Sequence, residues 1–199
     1  MKLNLKKKRW PQKPTRQAMP RSSLCFSPYA WAKLIYLRDR GETEIGGFGL
    51  SAPDDPLYVV DLLVPKQRTT VTTVQFDDAS VADLVDDCVD RGFRPEQFGR
   101  VWIHSHPGRC PLPSCVDEAT FRRVFGRTEW SVMAIVARGG ARYARLAFHV
   151  GPGGALELPI RVDYRRPFAG ADVDSWEREY ALKVVLEASP FPDDEFSFD

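Results

Sequence analysis

Residues 99–125 read GRVWIHSHPGRCPLPSCVDEATFRRVF, and their pattern changes from strand to helix across one short loop. The first six residues, 99–104, form a mostly apolar run of the kind that makes a buried strand. A loop rich in proline and glycine follows, and a helix is predicted from near Ser114 to about Phe125. The stretch therefore places the end of a strand and the start of a helix close together in the chain.

Two of the three histidines in the chain lie at the end of this strand. Because side chains alternate between the two faces of a strand, His104 and His106 point the same way and Ser105 points away. Two imidazoles in this arrangement can bind one metal ion. A catalytic zinc usually takes three protein ligands and a water, and Asp117, in the first turn of the next helix, is the best third ligand. This ligand set has a net charge of about +1 with the ion, which acidifies bound water.

Ser114 and Asp117 also have a purely structural interpretation. The pattern Ser-x-x-Asp matches a capping box, with Ser114 as the N-cap and Asp117 as the third helical residue. The two roles are compatible, because a cap that fixes the helix start also fixes the carboxylate.

Strands and helices alternate along the rest of the chain. Ser27-Pro28 is typical of a helix start, and Gly41 is typical of a helix end. Gly139-Gly140 indicates a tight hairpin. Strands are predicted at 22–26, 44–50, 57–64, 70–76, 131–138, 142–149 and 155–163, and helices at 79–91 and from Val173 to Val184. This order predicts an α/β fold of the mixed α+β kind, with a central mixed β-sheet covered by helices.

We expect three parts in the chain: a basic disordered arm at 1–21, one domain at 22–188, and an acidic flexible tail at 189–199. The 199 residues, 43% hydrophobic and 28% charged, are ordinary for a globular protein with a sizeable core. Residues 1–21 hold eight of the 28 basic residues and no acidic residue. This composition is typical of a disordered segment.

The composition also argues against some partners. No apolar run approaches the length that spans a bilayer, so no membrane partner is expected. The basic start has no apolar stretch after it that would make a secretory signal, and the expected compartment is the cytoplasm. The arm contains Trp10 but no series of aromatic residues for stacking on bases, so we expect no nucleic-acid partner.

The four cysteines do not form a pattern typical of a disulfide framework, and we interpret them as reduced thiols. Cys110 and Cys115 offer an alternative zinc site together with the two histidines, but their spacing matches no zinc finger. A zinc deaminase is a second alternative, which needs His-x-Glu and Pro-Cys-x-x-Cys. His106 stands where that glutamate is required, and Cys115 has no second cysteine after it.

The site residues resemble the signature of a known family. His104-Ser-His106-Pro, six residues, and then Ser114-x-x-Asp117 are similar to the motif of the JAMM metalloproteases, also called JAB/MPN domains. The family also has an upstream glutamate on a strand, usually followed by glycines, and Glu44-Ile-Gly-Gly matches it. The resemblance covers roughly residues 22–150 and fills every position of the motif. It implies the JAB/MPN fold, which is similar to the cytidine deaminase fold, and one catalytic Zn²⁺ ion.

The resemblance also implies a role for each residue. Glu44 would take a proton from the zinc-bound water and pass it to the leaving amine, and Ser114 would donate a hydrogen bond to the tetrahedral intermediate. Glu42 is an equally good candidate for the base from composition, but the glycines follow Glu44 at the family's spacing.

Enzymes of this family typically hydrolyse the amide bond after the C-terminal Gly-Gly of ubiquitin or a ubiquitin-like protein. The implied function is therefore a deubiquitinase-like zinc isopeptidase or peptidase, similar to the bacterial members. Its expected partners are the tail of a ubiquitin-like protein and the conjugating enzymes of that protein. Segment 66–78 and loop 107–113 would flank a groove for this tail. A non-catalytic interaction module and a hydrolase of small amides remain as alternatives.

Overall fold

The computed structural model describes residues 22–187, and the predicted arm at 1–21 and the predicted tail at 189–199 lie outside this range. The helices are α1 (Pro28–Arg40), α2 (Asp78–Asp90), α3 (Pro95–Phe98), α4 (Cys115–Phe125) and α5 (Val173–Lys183). The strands are β1 (Leu24–Phe26), β2 (Gly46–Ala52), β3 (Asp55–Leu63), β4 (Gln67–Thr69), β5 (Val74–Phe76), β6 (Val101–His106), β7 (Trp130–Ala137), β8 (Arg142–Phe148), β9 (Gly154–Glu157), β10 (Ile160–Val162) and β11 (Val184–Leu186).

Eight of these strands form one mixed sheet, in the order β10-β1-β3-β2-β6-β7-β8-β9. The pairs β1·β10, β1·β3 and β6·β7 are parallel, and the other pairs are antiparallel. The sheet is curled, because β9 and β10, which lie at the two ends of the strand order, are joined by only two residues, 158–159. The predicted mixed α/β fold with a central mixed sheet is confirmed.

Helices pack on both faces of this sheet, and the alternation of side chains along β6 shows which face is which. Val101 and Ile103 belong to the larger apolar cluster, which also contains Leu34 and Leu37 of α1. Trp102 belongs to the opposite cluster, with the two phenylalanines of α4, Phe121 and Phe125. His104 and His106 have the same parity as Trp102, so they lie on the α4 face.

Four local predictions differ from the structure. The strand predicted at 70–76 is interrupted, because Thr70 N–H bonds to the Thr73 carbonyl (3.0 Å) and makes a turn before β5. The strand predicted at 155–163 is two strands, since β9 pairs with β8 and β10 pairs with β1. The apolar face predicted for α2 is only partly covered, with Cys88 buried and Val89 exposed. The sequence also did not predict the short strand β11.

β11 completes a second, three-stranded sheet in the order β11-β4-β5. It runs parallel to β4, pairing Val184 with Gln67 and Leu186 with Thr69, and the Glu187 N–H donates to the Thr69 carbonyl (2.9 Å). The C-terminal part of the domain is thereby joined to the segment that follows β3. None of the helices in residues 22–187 has the length and apolar character that a membrane-spanning helix needs.

Candidate metal centre

The two histidines lie at the end of β6, which runs between β2 and β7 in the middle of the large sheet. His104 is opposite Gly46 of β2 and Ile135 of β7, and only 1% of it is exposed. Its ring stacks on that of Trp102, with 4.4 Å between the ring centroids. The predicted alternation is confirmed, since the His104 and His106 rings lie 5.1 Å apart and Ser105 is buried on the other face.

Asp117 reaches the same place from the first turn of α4. Ser114 is the N-cap of this helix, and its hydroxyl accepts a hydrogen bond from the Asp117 N–H (3.1 Å). The Asp117 Oδ2 in turn accepts from the Ser114 N–H and from the Ser114 hydroxyl, both at 2.7 Å. The capping box is therefore formed, and it holds the carboxylate so that Oδ1 lies toward His104.

The distances between these three residues suit a shared metal ion. His104 Nε2 lies 3.2 Å from Asp117 Oδ1, and His106 Nε2 lies 3.5 Å from Asp117 Oδ2. Ligand atoms bound to one tetrahedral zinc at its usual bond lengths are about 3.4 Å apart. The candidate ligand atoms of all three residues lie within 4.8 Å of one another. A buried His-His-Asp group that could hold a metal ion is thus present at the predicted position.

The hydrogen bonding of the imidazoles tests whether an ion fits. Within the described residues, His104 Nδ1, His104 Nε2 and His106 Nε2 are buried without a hydrogen-bond partner. The contact of His104 Nε2 with Asp117, although close, does not satisfy hydrogen-bond geometry. His106 Nδ1 lies 2.9 Å from the Cys110 carbonyl, which only accepts, so the proton is on Nδ1 and Nε2 has a free lone pair. Buried unpaired nitrogens are costly, and a metal ion would satisfy one nitrogen of each ring, His104 Nε2 and His106 Nε2.

The acid–base properties of His104 and Asp117 also favour metal binding. Burial lowers the pKa of His104, which keeps its ring neutral, as a ligand must be. Burial opposes ionisation of Asp117, but its close contacts with His104 and His106 and the hydrogen bond from the Ser114 N–H outweigh this and hold its pKa well below the usual range. The site therefore offers two imidazole nitrogens and one carboxylate, a set typical of catalytic zinc.

Glu44 lies next to this group, just before β2. Its Oε1 is 3.7 Å from His106 Nε2, and its side chain is buried. The pKa of Glu44 is raised to about 8, mainly by burial, while the charge of His106 lowers it and the charge of Asp117 raises it. Glu42, the alternative from composition, is exposed. The structure therefore brings together Glu44, His104, His106, Ser114 and Asp117, and it leaves Glu42 outside.

Two buried polar residues next to the site were not identified from the sequence. The Ser105 hydroxyl accepts from the Ile45 N–H (3.0 Å), and the Gln67 amide bonds both the N–H and the carbonyl of Gly46. Ser105 is part of the His-Ser-His motif but was predicted only to point away from the histidines, and Gln67 lies in no motif. A single buried amide or hydroxyl has no periodic signal. Both support the segment that carries Glu44.

An apolar cavity lies near the site. It has a volume of about 340 Å³, lies between β5 and α4, and is lined by Phe76, Trp102 and Phe125 among others. Segment 66–78 contributes to this cavity, whereas loop 107–113 and the five site residues do not line it. Cys110 and Cys115 are exposed and are not members of the His-His-Asp group, so the alternative zinc site with thiolate ligands has no support.

No protein-family model matches the chain, and no curated protein matches it either. The similarity to the JAMM metalloproteases therefore rests on the five site residues and their order in the chain.

Proposed function

We propose that this protein is a zinc-dependent peptidase or isopeptidase of the JAMM type, acting on the amide bond after the C-terminus of ubiquitin or a ubiquitin-like protein. One observation carries the proposal: two buried histidines with unpaired nitrogens meet Asp117, and a buried glutamate lies beside them. A ligand group alone would suit a structural ion, but the adjacent carboxylate supplies the base that hydrolysis requires.

His104, His106 and Asp117 would hold the zinc, with Asp117 fixed by the cap of α4. When bound, zinc supplies a positive charge that polarises the scissile carbonyl and acidifies water. Glu44 accepts a proton from the attacking water and then donates it to the leaving amine. A pKa near neutrality suits both transfers, and burial raises the pKa of Glu44 to about 8.

Ser114 has a second proposed role as a hydrogen-bond donor to the oxygen of the tetrahedral intermediate. In this structure its hydroxyl donates to Asp117 Oδ2. The Ser114 backbone N–H donates to the same oxygen, so the carboxylate stays held when the hydroxyl rotates toward substrate. The Ser114 N–H can therefore hold the Asp117 carboxylate while the Ser114 hydroxyl is used in the proposed catalytic role.

The substrate class rests on the family resemblance and on the shape of the surface. An extended glycine tail can lie along a strand and reach a metal in a shallow cleft. β5 and the cavity between it and α4 provide such a strand and an apolar recess close to Trp102, which stacks on His104. Both features suit a tail with an apolar residue before its glycines.

The test combines metal analysis with cleavage of ubiquitin that carries a C-terminal fluorescent amide, and of any ubiquitin-like protein encoded beside this gene. We expect about one zinc per chain, activity that a chelator abolishes, and cleavage after the last glycine. Glu44→Gln should keep the zinc and lose activity by about 100-fold or more. Glu42→Gln is the matched control, because Glu42 is two residues away and exposed, and it should retain full activity.

A different result would favour another function. If the wild-type protein binds zinc but cleaves none of these substrates, the peptidase proposal fails and an interaction module or a small-amide hydrolase takes its place. If it binds no zinc, the proposed metal centre itself is wrong.

A further inference from the structure

The backbone around Glu44 is held by β4 and the turn after it. The Thr43 and Thr69 hydroxyls lie 2.9 Å apart in a hydrogen bond, and the Glu44 N–H donates to the Thr70 carbonyl (2.9 Å). β4 itself lies between β5 and β11, so both of its edges are paired. The segment that carries Glu44 therefore rests on a strand that is fixed from two sides.

Gln67, the first residue of β4, makes the closest of these connections. Its Oε1 accepts from the Gly46 N–H (2.8 Å), and its Nε2 donates to the Gly46 carbonyl (2.9 Å) and to the Pro65 carbonyl (3.1 Å). Only 1% of this residue is exposed. A buried amide that satisfies both backbone groups of one residue fixes that residue as a neighbouring strand would.

The Glu44 carboxylate depends on this backbone support. No described residue donates a hydrogen bond to it, and its Oε1 lies 3.7 Å from His106 Nε2. Its position beside the ligands is therefore set by the backbone of 43–46 rather than by partners of its own side chain.

We infer that Gln67 is a positioning residue for the general base: it fixes Gly46, and through it places Glu44 beside the metal ligands. The expected effect of Gln67 on catalysis rests on the proposed function. The expected effect on the position of the Glu44 backbone rests only on the hydrogen bonds of Gln67. Misplacing a catalytic group by about 1 Å can lower a rate by about 100-fold.

The chain contains a matched control for this role. Gln97 is also buried, and its amide donates to the Ser51 carbonyl (3.2 Å) and accepts from the Arg94 N–H (3.1 Å). Gly46 and Ser51 belong to the same strand, β2, but Ser51 is at the end away from the metal centre. Gln67→Met removes three hydrogen bonds, two of them to Gly46, and Gln97→Met removes two, one of them to Ser51 at the other end of the same strand.

The experiment compares these two variants with the wild-type protein in the full chain with its metal. Steady-state cleavage of the fluorescent ubiquitin amide gives kcat and KM, and NMR gives the hydrogen exchange of the Glu44 and Ile45 amides. Gln67→Met should lower kcat by about 10- to 100-fold with KM changed less than about threefold and the zinc content unchanged. It should also speed exchange of both amides at least about tenfold, whereas Gln97→Met should change neither readout.

A double-mutant cycle separates positioning from general damage. If Gln67 acts through Glu44, then adding Gln67→Met to Glu44→Gln should lower the residual rate by less than about twofold. Equal kcat values for the two glutamine variants, or additive losses in the cycle, would overturn the inference. Should Gln67→Met not fold, Gln67→Asn, which keeps an amide but shortens its reach toward Gly46 by one methylene, replaces it and should give a smaller loss of the same kind.

If the wild-type protein has no peptidase activity, the proposed function is refuted. The hydrogen-exchange measurement then still tests whether Gln67 holds the backbone at Glu44. Faster exchange at Glu44 in Gln67→Met alone would then support the positional part, and equal exchange in both variants would refute it.

Discussion

Glu44 shows the conflict between stability and chemistry at the scale of one residue. Burial raises its pKa from an ordinary 4.5 to about 8, so its charged form is disfavoured in the folded protein. The folded state therefore holds the proton more tightly than the unfolded state does. Stability that is fully present below about pH 4.5 is lost as the pH rises to about 8.

This predicts that Glu44→Gln stabilises the metal-free protein at high pH. At pH 9 the glutamine variant lacks the buried charge, and its free energy of unfolding should exceed that of wild type by up to about 5 kcal/mol. At pH 4.5 or below the difference should be small, because Glu44 is then protonated in both states. Urea unfolding in the presence of a chelator at both pH values measures this.

Glu42→Gln serves as the control for this measurement, since Glu42 is exposed and its charge stays in water. A gain of stability that is the same at both pH values would contradict the assignment of the effect to Glu44 ionisation.

At the scale of elements, the start of α4 matters most, because the hydrogen bonds that cap this helix also hold its candidate metal ligand. Ser114→Ala removes the cap and the bond to Asp117 Oδ2, and it should cost about 1 kcal/mol of stability. Zinc affinity should fall by about 10- to 100-fold, as for other residues that orient a ligand. Thermal unfolding of the metal-free protein and competition with a zinc indicator measure the two effects.

Asp77→Ala is the matched variant at another helix. Asp77 caps α2, and its Oδ1 accepts from the Ser80 N–H (2.8 Å). It should lose similar stability but keep wild-type zinc affinity. Equal affinity of both variants for zinc would show that the α4 cap does not position Asp117.

The elements also show what the sequence was able to predict. The helix start at Ser27-Pro28, the alternation at His104 and His106, and the start of α4 follow from local rules, and the structure confirms them. The break at 158–159 was missed, because it depends on which distant strand each segment pairs with. The turn at Thr70–Thr73 was missed, because its residues include neither glycine nor proline.

The same limit applies to the candidate site. The candidate ligands and Glu44 were identified because together they match one motif. Each of these residues alone gives only weak evidence of a site. Gln67 was missed because its importance comes from Gly46, a residue far from it in the chain. Buried side chains that bond to distant backbone leave no periodic pattern in the sequence.

At the scale of the whole molecule, the metal would connect the central strand β6 with helix α4. A ligand that binds only the folded state stabilises it by about 4 kcal/mol at a thousand times its Kd. Zinc should therefore raise the Tm of the metal-free protein by roughly 10 °C at such a concentration, and a chelator should reverse the change. Calorimetry with and without zinc measures this.

Asp117→Asn should abolish this rise in Tm, because it removes the carboxylate ligand while an amide oxygen still accepts from Ser114. Glu118→Gln, at the neighbouring position, should respond to zinc as wild type does, since Glu118 pairs with Arg145 instead. An undiminished rise in the asparagine variant would show that zinc stabilises the protein from another site.

The pairing of β11 with β4 has a consequence for the order of synthesis. Glu44 is made early by the ribosome, and β11, which borders the strand that supports it, is made late. A nascent chain would thus carry all its metal ligands before the support of its base is complete. On the proposed function, an unfinished chain would therefore be able to bind metal before its general base is fully supported.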